Sequence, residues 1–226
     1  MLRWADARGW ADRDDDRLSS LSDSERERLV SMRRADADRF ALGRILLREL
    51  VAELGSVASG ADIAAGSVAI DAVCATCGGP HGKPIVTAPA ALRGRIHVSV
   101  AHCDSLVFAA AAQREPIGVD AELATLSEHA TEHADSATWT APRRWTQVEA
   151  VLKADGRGLL VDPDTVQLEH SGSALLARIG TEPARYALTE FTIDEPSRDR
   201  VVLISIASRD GATRTDQFTS AARVVG

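Results

Sequence analysis

Cysteine, aromatic residues and long apolar runs are all scarce in this chain of 226 residues. Its three cysteines, an odd number, do not make a disulfide framework and fit a reducing compartment. No apolar run is long enough to cross a membrane, and the first residues, MLRWADARGWADRDDD, contain no apolar signal core. We therefore expect a cytoplasmic protein without a membrane segment. Because aromatics make up only 4% of the residues, we also expect an aliphatic core.

The charge balance excludes one broad class of function. The formal net charge is −7 at pH 7, whereas general nucleic-acid binding needs a basic surface. The composition, 45% hydrophobic and 26% charged, is typical of a soluble globular protein. The length allows one large domain or two small fused domains.

Three segments carry helix signals. SDSERERLVSM (22–32) starts with capping residues, and DADRFALGRILLRELVAELG (36–55) has a broad apolar face that we expect Gly55 to end. RRWTQVEAVLKADG (143–156) is the third predicted helix, closed by Gly156.

Short runs with strand patterns separate these helices, and adjacent runs are joined by short turns. This order predicts an α+β protein with mainly antiparallel strands and packed helices. The polar stretch 124–142 is predicted to be a loop. The predicted strands are SVAIDAV (67–73), RIHVSVAHCD (95–104), SLVFAAAAQ (105–113), PIGVDAEL (116–123) and three more near 174–180, 184–193 and 200–207.

Two carboxylates two positions apart, Asp120 and Glu122, lie in the predicted strand PIGVDAEL. Residues two apart share one face of a strand, so the acids repel each other unless a positive group lies between them. Mg²⁺ commonly binds one or two protein carboxylates and keeps its other positions for water and phosphate oxygens. The alternative is a solvated strand edge with two unrelated acids.

Glu149 and Lys153 lie four residues apart on one side of the third predicted helix. Trp145, Val148 and Leu152 define its predicted buried stripe, and Glu149 borders that stripe. The position suits a third metal ligand or a general base, with Lys153 stabilising phosphate charge. The alternative is a surface ion pair.

Several basic residues are candidates for phosphate contacts. Lys83 precedes Pro84 in a Gly-Lys-Pro turn, and the proline stiffens the backbone that holds the lysine. His102 follows a predicted strand and is either structural or functional, and Arg44 and Arg48 lie four apart on one side of the second helix.

Cysteine and histidine spacing raises a second metal hypothesis. Cys74, Cys77 and His81 form a C-x2-C-x3-H pattern in a glycine-rich turn, and Cys103 is a candidate fourth zinc ligand. Zinc there would be a structural clip on the loop that carries Lys83. The alternative is a glycine-rich loop with incidental thiols.

Five blocks occur in a fixed order along residues 36–160: RFALGRILLREL, HGKP, VSVAHCD, PIGVDAE and RWTQVEAVLKADGRGL. In this order they resemble the motifs of the 4′-phosphopantetheinyl transferases of the Sfp type. The resemblance departs from the family pattern at Ala101 and Cys103, which flank His102 where the family has two serines. It departs again at Val148, where the family usually has a basic residue.

The resemblance implies an activity and a fold. Such enzymes transfer the 4′-phosphopantetheine arm of coenzyme A to a serine of an acyl or peptidyl carrier protein and release 3′,5′-ADP. They consist of two similar α+β halves about a pseudo-twofold axis, with coenzyme A in the cleft between them. Here the halves would be residues 1–113 and 114–226 of a cytoplasmic monomer. The pathway served, fatty acid, polyketide or nonribosomal peptide synthesis, is left open.

The resemblance also implies roles for the candidate residues. Mg²⁺, with Mn²⁺ as an alternative, would bind Asp120, Glu122 and Glu149. Glu149 would accept the proton of the carrier serine, and Lys153 would stabilise the phosphoryl oxygens. The residues implied to bind coenzyme A are Arg44, Arg48, Lys83, Pro84 and His102. Two other functions stay open: a relative that binds coenzyme A without turnover, and a metal-dependent phosphodiesterase or nuclease.

Overall fold

The computed structural model describes residues 1–10, 16–74, 76–125, 141–195, 200–209 and 223–224. The chain is an α+β protein that divides into two compact units, Met1–Pro116 with Asp216–Gly226, and Ile117–Thr215. Each unit has a mainly antiparallel sheet and at least one packed helix, as predicted. Most of the predicted loop at 124–142 falls outside the described residues. None of the described helices is long and apolar enough to span a membrane.

The sheet of the first unit has the strand order β11-β1-β5-β4-β3-β2. Neighbouring strands are antiparallel except at the edge, where β11 runs parallel to β1. The five-residue strand β1 is not predicted from the sequence, because apolar and polar residues alternate too little in LRWAD to distinguish it from a loop. The strands are β1 (Leu2–Asp6), β2 (Ala69–Ala72), β3 (Pro84–Ala88), β4 (Ile96–Cys103), β5 (Leu106–Gln113) and β11 (Arg223–Val224).

Two α-helices belong to this unit, α1 (Asp23–Ser31) and α2 (Arg34–Ser59). Helix α1 begins with a capping box, in which Ser22 and Glu25 exchange side-chain and backbone hydrogen bonds. Helix α2 packs on β4 and β5 and buries most of its apolar face. Helix α2 contributes eight of the 21 buried residues in the core cluster of the first unit.

The prediction that Gly55 ends α2 is wrong. The helix continues to Ser59, and Gly60 caps it in the left-handed conformation with φ 70°. Gly55 instead allows a close approach, since a Cβ there would lie 2.8 Å from a methyl carbon of Leu92 and 2.9 Å from one of Ile63. Packing against distant residues, which local sequence does not reveal, accounts for this glycine.

The second unit has a fully antiparallel sheet of strand order β6-β10-β9-β8-β7. Helix α3 (Ala141–Asp155) packs on β6 and β10 and is followed by Gly156, as predicted. The strands are β6 (Ile117–Thr125), β7 (Val166–Ser171), β8 (Ala174–Ile179), β9 (Arg185–Glu195) and β10 (Arg200–Arg209).

The buried stripe of α3 differs from the prediction at one end. Val148 and Leu152 are 3% and 1% exposed, but Trp145 is 42% exposed. Thr146 and Gln147 are fully buried in its place, and Thr146 accepts a hydrogen bond from Ser205 of β10. The polar groups of the sheet therefore set the rotation of the helix, and hydrophobicity alone does not predict it.

Candidate active site

Strand β6 places Asp120 and Glu122 on one face. In its ladder with β10, Asp120 lies opposite Ser205 and Glu122 opposite Leu203. Gly118 belongs to the same face because it is two residues from Asp120. Helix α3 covers this face at Gly118, so the face that carries both acids is directed toward the helix.

The helix approaches the strand very closely at Gly118. A Cβ at this position would lie 2.0 Å from the carbonyl oxygen of Ala150 and 2.4 Å from the backbone nitrogen of Ala154. Any larger residue would push the helix away. This close approach lets Lys153 reach Asp120, and its Nζ donates to Oδ1 at 2.5 Å.

Three carboxylates share one electrostatic environment in this unit. Burial raises the pKa of Asp120, which is 7% exposed, and the ammonium of Lys153 opposes this effect. Burial and then the charge of Asp120 raise the pKa of Glu122, with Glu149 adding to it. Burial raises the pKa of Glu149, where the charge of Asp120 also contributes and Lys153 opposes. The predicted ligands thus repel one another.

The donor chemistry of this cluster fits a hard divalent cation. All three groups offer oxygen, and Oδ2 of Asp120 is buried without a hydrogen-bond partner. In the structure, however, the ammonium of Lys153 neutralises Asp120. Among the described residues, only Cys74, Cys77 and His81 form a set whose ligand atoms all lie within 4.8 Å of one another, and the three acids do not. A cation at Asp120 would therefore compete with Lys153.

The first unit contains a basic cavity of about 180 Å³. Its lining includes Arg28, Arg44, Pro84 and His102. The guanidinium groups of Arg28 and Arg44 lie over the ring of Phe40, at 4.7 and 5.2 Å from its centre. Burial lowers the pKa of Arg44, and Glu25 opposes this effect. Arg44 nevertheless stays charged at neutral pH, so the cavity suits an anionic group.

Arg48 occupies a different environment from Arg44. It is 2% exposed and donates to Oε2 of Glu25 at 2.6 Å and to the carbonyl of Val68 at 3.1 Å. Glu25 also lies 3.3 Å from the guanidinium of Arg44. Arg48 therefore holds the fold through a buried ion pair and does not line the cavity.

Glu25 is the residue of this region that the sequence analysis missed. From the sequence, the only role expected for Glu25 is at the start of a helix, and its carboxylate does take part in the capping box there. The second role of Glu25 is to pair with the arginines of α2. The only sequence signal for it is that neither Arg44 nor Arg48 has an acidic residue one turn away in its own helix. Sequence spacing does not show that the two helices bring these charges together.

Lys83 lies apart from the basic cavity. It lines a second cavity in the same unit, of about 460 Å³, whose lining also includes Arg93 and His97. Pro84 borders both cavities. Burial and then the charge of Lys83 lower the pKa of His97. The structure thus brings Arg44, Pro84 and His102 together and leaves Lys83 and Arg48 outside that group.

No protein-family model matches this chain, and no curated protein matches it either. Its function is therefore inferred from the geometry of the two units and from the ordered sequence blocks.

Proposed function

We propose that the chain is a Mg²⁺-dependent 4′-phosphopantetheinyl transferase that modifies a serine of an acyl or peptidyl carrier protein. One observation carries the proposal: Asp120 and Glu122 of β6 share one electrostatic environment with Glu149 of α3. Besides burial, the charge of Asp120 raises the pKa of both glutamates, and Glu149 adds to the effect on Glu122. The three acids repel one another, and one of them, Asp120, has a buried oxygen without a hydrogen-bond partner. Both features favour a cation as the partner of the group. The ordered blocks that resemble the Sfp-type enzymes add the substrate class.

Asp120, Glu122 and Glu149 would hold the metal, Mg²⁺ or alternatively Mn²⁺. Bound there, the cation would neutralise charge on the pyrophosphate of coenzyme A as the leaving group departs. The face of β6 contributes Asp120 and Glu122, and α3 contributes Glu149. Gly118 supports the arrangement because it sets how closely α3 approaches that face.

Glu149 is the proposed general base. The oxygen of the carrier serine forms a bond to the β-phosphorus of coenzyme A, and the bond from that phosphorus to the bridging oxygen breaks. The serine proton passes to the Glu149 carboxylate, and 3′,5′-ADP leaves with the electron pair. Burial and Asp120 raise the pKa of Glu149, and a base works best when its pKa is near the working pH.

Lys153 has two roles in the proposal. Without a metal it neutralises Asp120 through the 2.5 Å contact from Nζ to Oδ1. With a cation bound at that carboxylate, the Lys153 ammonium would be available to the phosphoryl oxygens, which gain negative charge in the transition state.

The basic cavity of the first unit is the proposed position of the 3′-phosphate. Arg44 and His102 provide positive or hydrogen-bonding groups, and Arg28 adds a guanidinium that the sequence analysis did not single out. Arg48 is withdrawn from the coenzyme A set because Glu25 and two carbonyls take its donors. Lys83 stays a predicted contact to another part of coenzyme A.

A pseudo-twofold relation between the two halves is also part of the proposal. The segments Arg44-Ile-Leu-Leu-Arg48 and Glu149-Ala-Val-Leu-Lys153 both place charges four residues apart with Leu before the second. Both lie in helices packed on antiparallel sheets, which supports a duplicated unit. In one helix the pair serves anion binding and folding, and in the other cation binding and catalysis.

Mass spectrometry of a panel of apo carrier proteins tests the activity. After incubation with coenzyme A and Mg²⁺, we expect a gain of about 340 Da on one serine, the mass of the arm moved by phosphoryl transfer. Glu149→Gln should abolish the gain, whereas Glu169→Gln should not, because Glu169 lies on the exposed surface of β7. Binding of coenzyme A with no gain on any carrier would favour the inactive relative. Mg²⁺-dependent cleavage of DNA would favour the nuclease alternative.

A further inference from the structure

The loop between β2 and β3 contains two cysteines and a histidine that belong to a different unit from the carboxylate cluster. Sγ of Cys77 lies 3.0 Å from Nε2 of His81, and the ligand atoms of Cys74, Cys77 and His81 all lie within 4.8 Å of one another. Zn–S distances of about 2.3 Å and Zn–N distances of about 2.0 Å place the ligand atoms of a tetrahedral site roughly 3.3–3.8 Å apart. A zinc ion would therefore need only small side-chain movements.

The backbone of this loop already has a closed conformation. Cys74 donates its N–H to the carbonyl of Gly79, and Gly78 donates to the carbonyl of Cys74, both at 2.9 Å. Gly78 follows Cys77 with φ 69°, a left-handed conformation that favours glycine. These bonds hold Cys74 and Cys77 together without any metal, so little ordering is needed when one binds.

Backbone N–H groups are directed at the sulfur atoms. The backbone of Cys77 and of Thr76 forms hydrogen bonds to the Cys74 side chain. Gly79 donates its N–H to Sγ of Cys77 at 3.4 Å. Such donors stabilise thiolates, which are the form that binds metal. Two thiolates and a neutral imidazole together carry two negative charges, which balance the charge of a divalent cation.

We propose that Cys74, Cys77 and His81 bind one Zn²⁺ ion, with a solvent molecule as the fourth ligand. The ligand set, two thiolates and one imidazole, is the soft one that selects zinc over Mg²⁺. Cys103, the fourth ligand considered from sequence, is buried at the end of β4 and does not belong to the group. Binding releases the two thiol protons to solvent and involves no redox step.

The zinc ion would stabilise a wall of the basic cavity. His81 and its neighbours Pro80 and Gly82 line that cavity, and Arg28 donates to the carbonyl of Pro80. Gly82 is packed tightly, since a Cβ there would lie 3.1 Å from the carbonyl oxygen of Val73. A metal that fixes His81 therefore orders the segment from Cys74 to Pro84. This inference does not depend on the proposed transferase activity.

The test measures zinc content and cysteine reactivity on the full chain, kept reduced with a phosphine. We expect close to one zinc per chain after dialysis against zinc, and a cobalt-substituted protein with a tetrahedral, thiolate-type absorption spectrum. In the zinc-loaded protein Cys74 and Cys77 should resist alkylation at least tenfold more than after chelation. Cys103 provides an internal control, because burial should keep its reactivity equally low in both states.

Variants and amide exchange complete the test. Cys77→Ser and His81→Asn should lose the zinc, and Cys103→Ala should retain it. Zinc should slow hydrogen exchange at the amides of Gly78 and Gly79, in the segment that the metal orders. The inference is overturned if the wild type binds no more zinc than a Cys74→Ser/Cys77→Ser double variant, or if zinc leaves the alkylation rates of both cysteines unchanged. A Cys74–Cys77 disulfide that persists in the reductant would overturn it as well.

Discussion

Lys153 donates from Nζ to Oδ1 of Asp120 at 2.5 Å, while Oδ2 of the same carboxylate is buried without a hydrogen-bond partner. One oxygen is thus neutralised by a side chain, and the other has no compensation for its burial. A buried carboxylate in this state gains free energy from any further positive ligand. The proposed metal and Lys153 therefore compete for one group.

Replacing Lys153 should separate metal binding from turnover. In Lys153→Gln we expect Mg²⁺ affinity to rise several-fold, because a competing cation is removed, and carrier modification to fall at least tenfold, because the phosphoryl oxygens lose a donor. Isothermal titration with Mg²⁺ and the carrier assay measure the two effects. Arg157→Gln is the matched control, because this variant also removes a positive charge from the second unit. Arg157 pairs with Asp155 and Glu182 and not with the three acids. Weaker Mg²⁺ binding in Lys153→Gln would contradict the competition.

Removing acids should stabilise the protein without metal. Burial and the charge of Asp120 raise the pKa of Glu122 and Glu149 in the folded state. At neutral pH, Glu122→Gln and Glu149→Gln should therefore unfold at a higher temperature than the wild type. We expect each to raise the free energy of unfolding by only roughly a few tenths of a kcal/mol, because solvent screens these partly exposed groups. Both should lose most of the stabilisation that Mg²⁺ gives the wild type. Glu169→Gln, at an exposed position, should change neither quantity.

The same carboxylates predict a pH dependence of defined sign. A raised pKa means that the folded state retains protons that the unfolded chain has released, so this contribution to stability is full at low pH and is lost as pH rises through the raised pKa values. The stability difference between Glu149→Gln and the metal-free wild type should therefore grow as pH rises from 4 to 8. Mg²⁺ affinity should increase over the same interval, because the metal displaces protons. Calorimetric scans at several pH values check both trends, and a difference that shrinks with pH would contradict the cluster.

Gly118→Ala should separate α3 from β6. The added Cβ would meet the backbone of Ala150 at 2.0 Å, and backbone atoms cannot rotate away. We expect a loss of roughly 3 kcal/mol or more in the free energy of unfolding, and weaker Mg²⁺ binding in any folded fraction. Gly66→Ala is the control, since no atom lies within 4 Å of a Cβ there. Denaturant unfolding measures the effect, and near-equal stability of the two variants would show that the helix can move freely.

Arg44 and Arg48 should respond differently to the same substitution. Arg48→Gln leaves Glu25 short of its closest charged partner in a buried environment, so we expect a loss of about 3–5 kcal/mol of stability. Arg44→Gln should cost less stability and should weaken 3′,5′-ADP binding at least tenfold, because this arginine lines the basic cavity. Thermal unfolding and titration with 3′,5′-ADP measure the two quantities. Equal effects of both variants on nucleotide binding would contradict the assignment.

Sequence spacing predicts the parts of the site that lie within one element. Asp120 and Glu122 share a face because they lie two residues apart on a strand. Glu149 and Lys153 share one because they lie four residues apart on a helix. The helix starts and most strands follow from capping and alternation for the same local reason. The strand β1 does not, because its five residues gain stability from β5 and not from their own pattern.

Helix and strand periodicity is a local property of the backbone, so it was enough to predict the three α-helices, most of the strands, the α+β class and the carboxylate pair. Three other facts depend on long-range packing and have no local signal: Lys153 contacts Asp120, Glu25 neutralises Arg48, and Lys83 lies apart from Arg44. Each of these facts depends on how closely two distant elements pack. That distance is set by residues such as Gly118, whose missing side chain has meaning only against the helix that covers it.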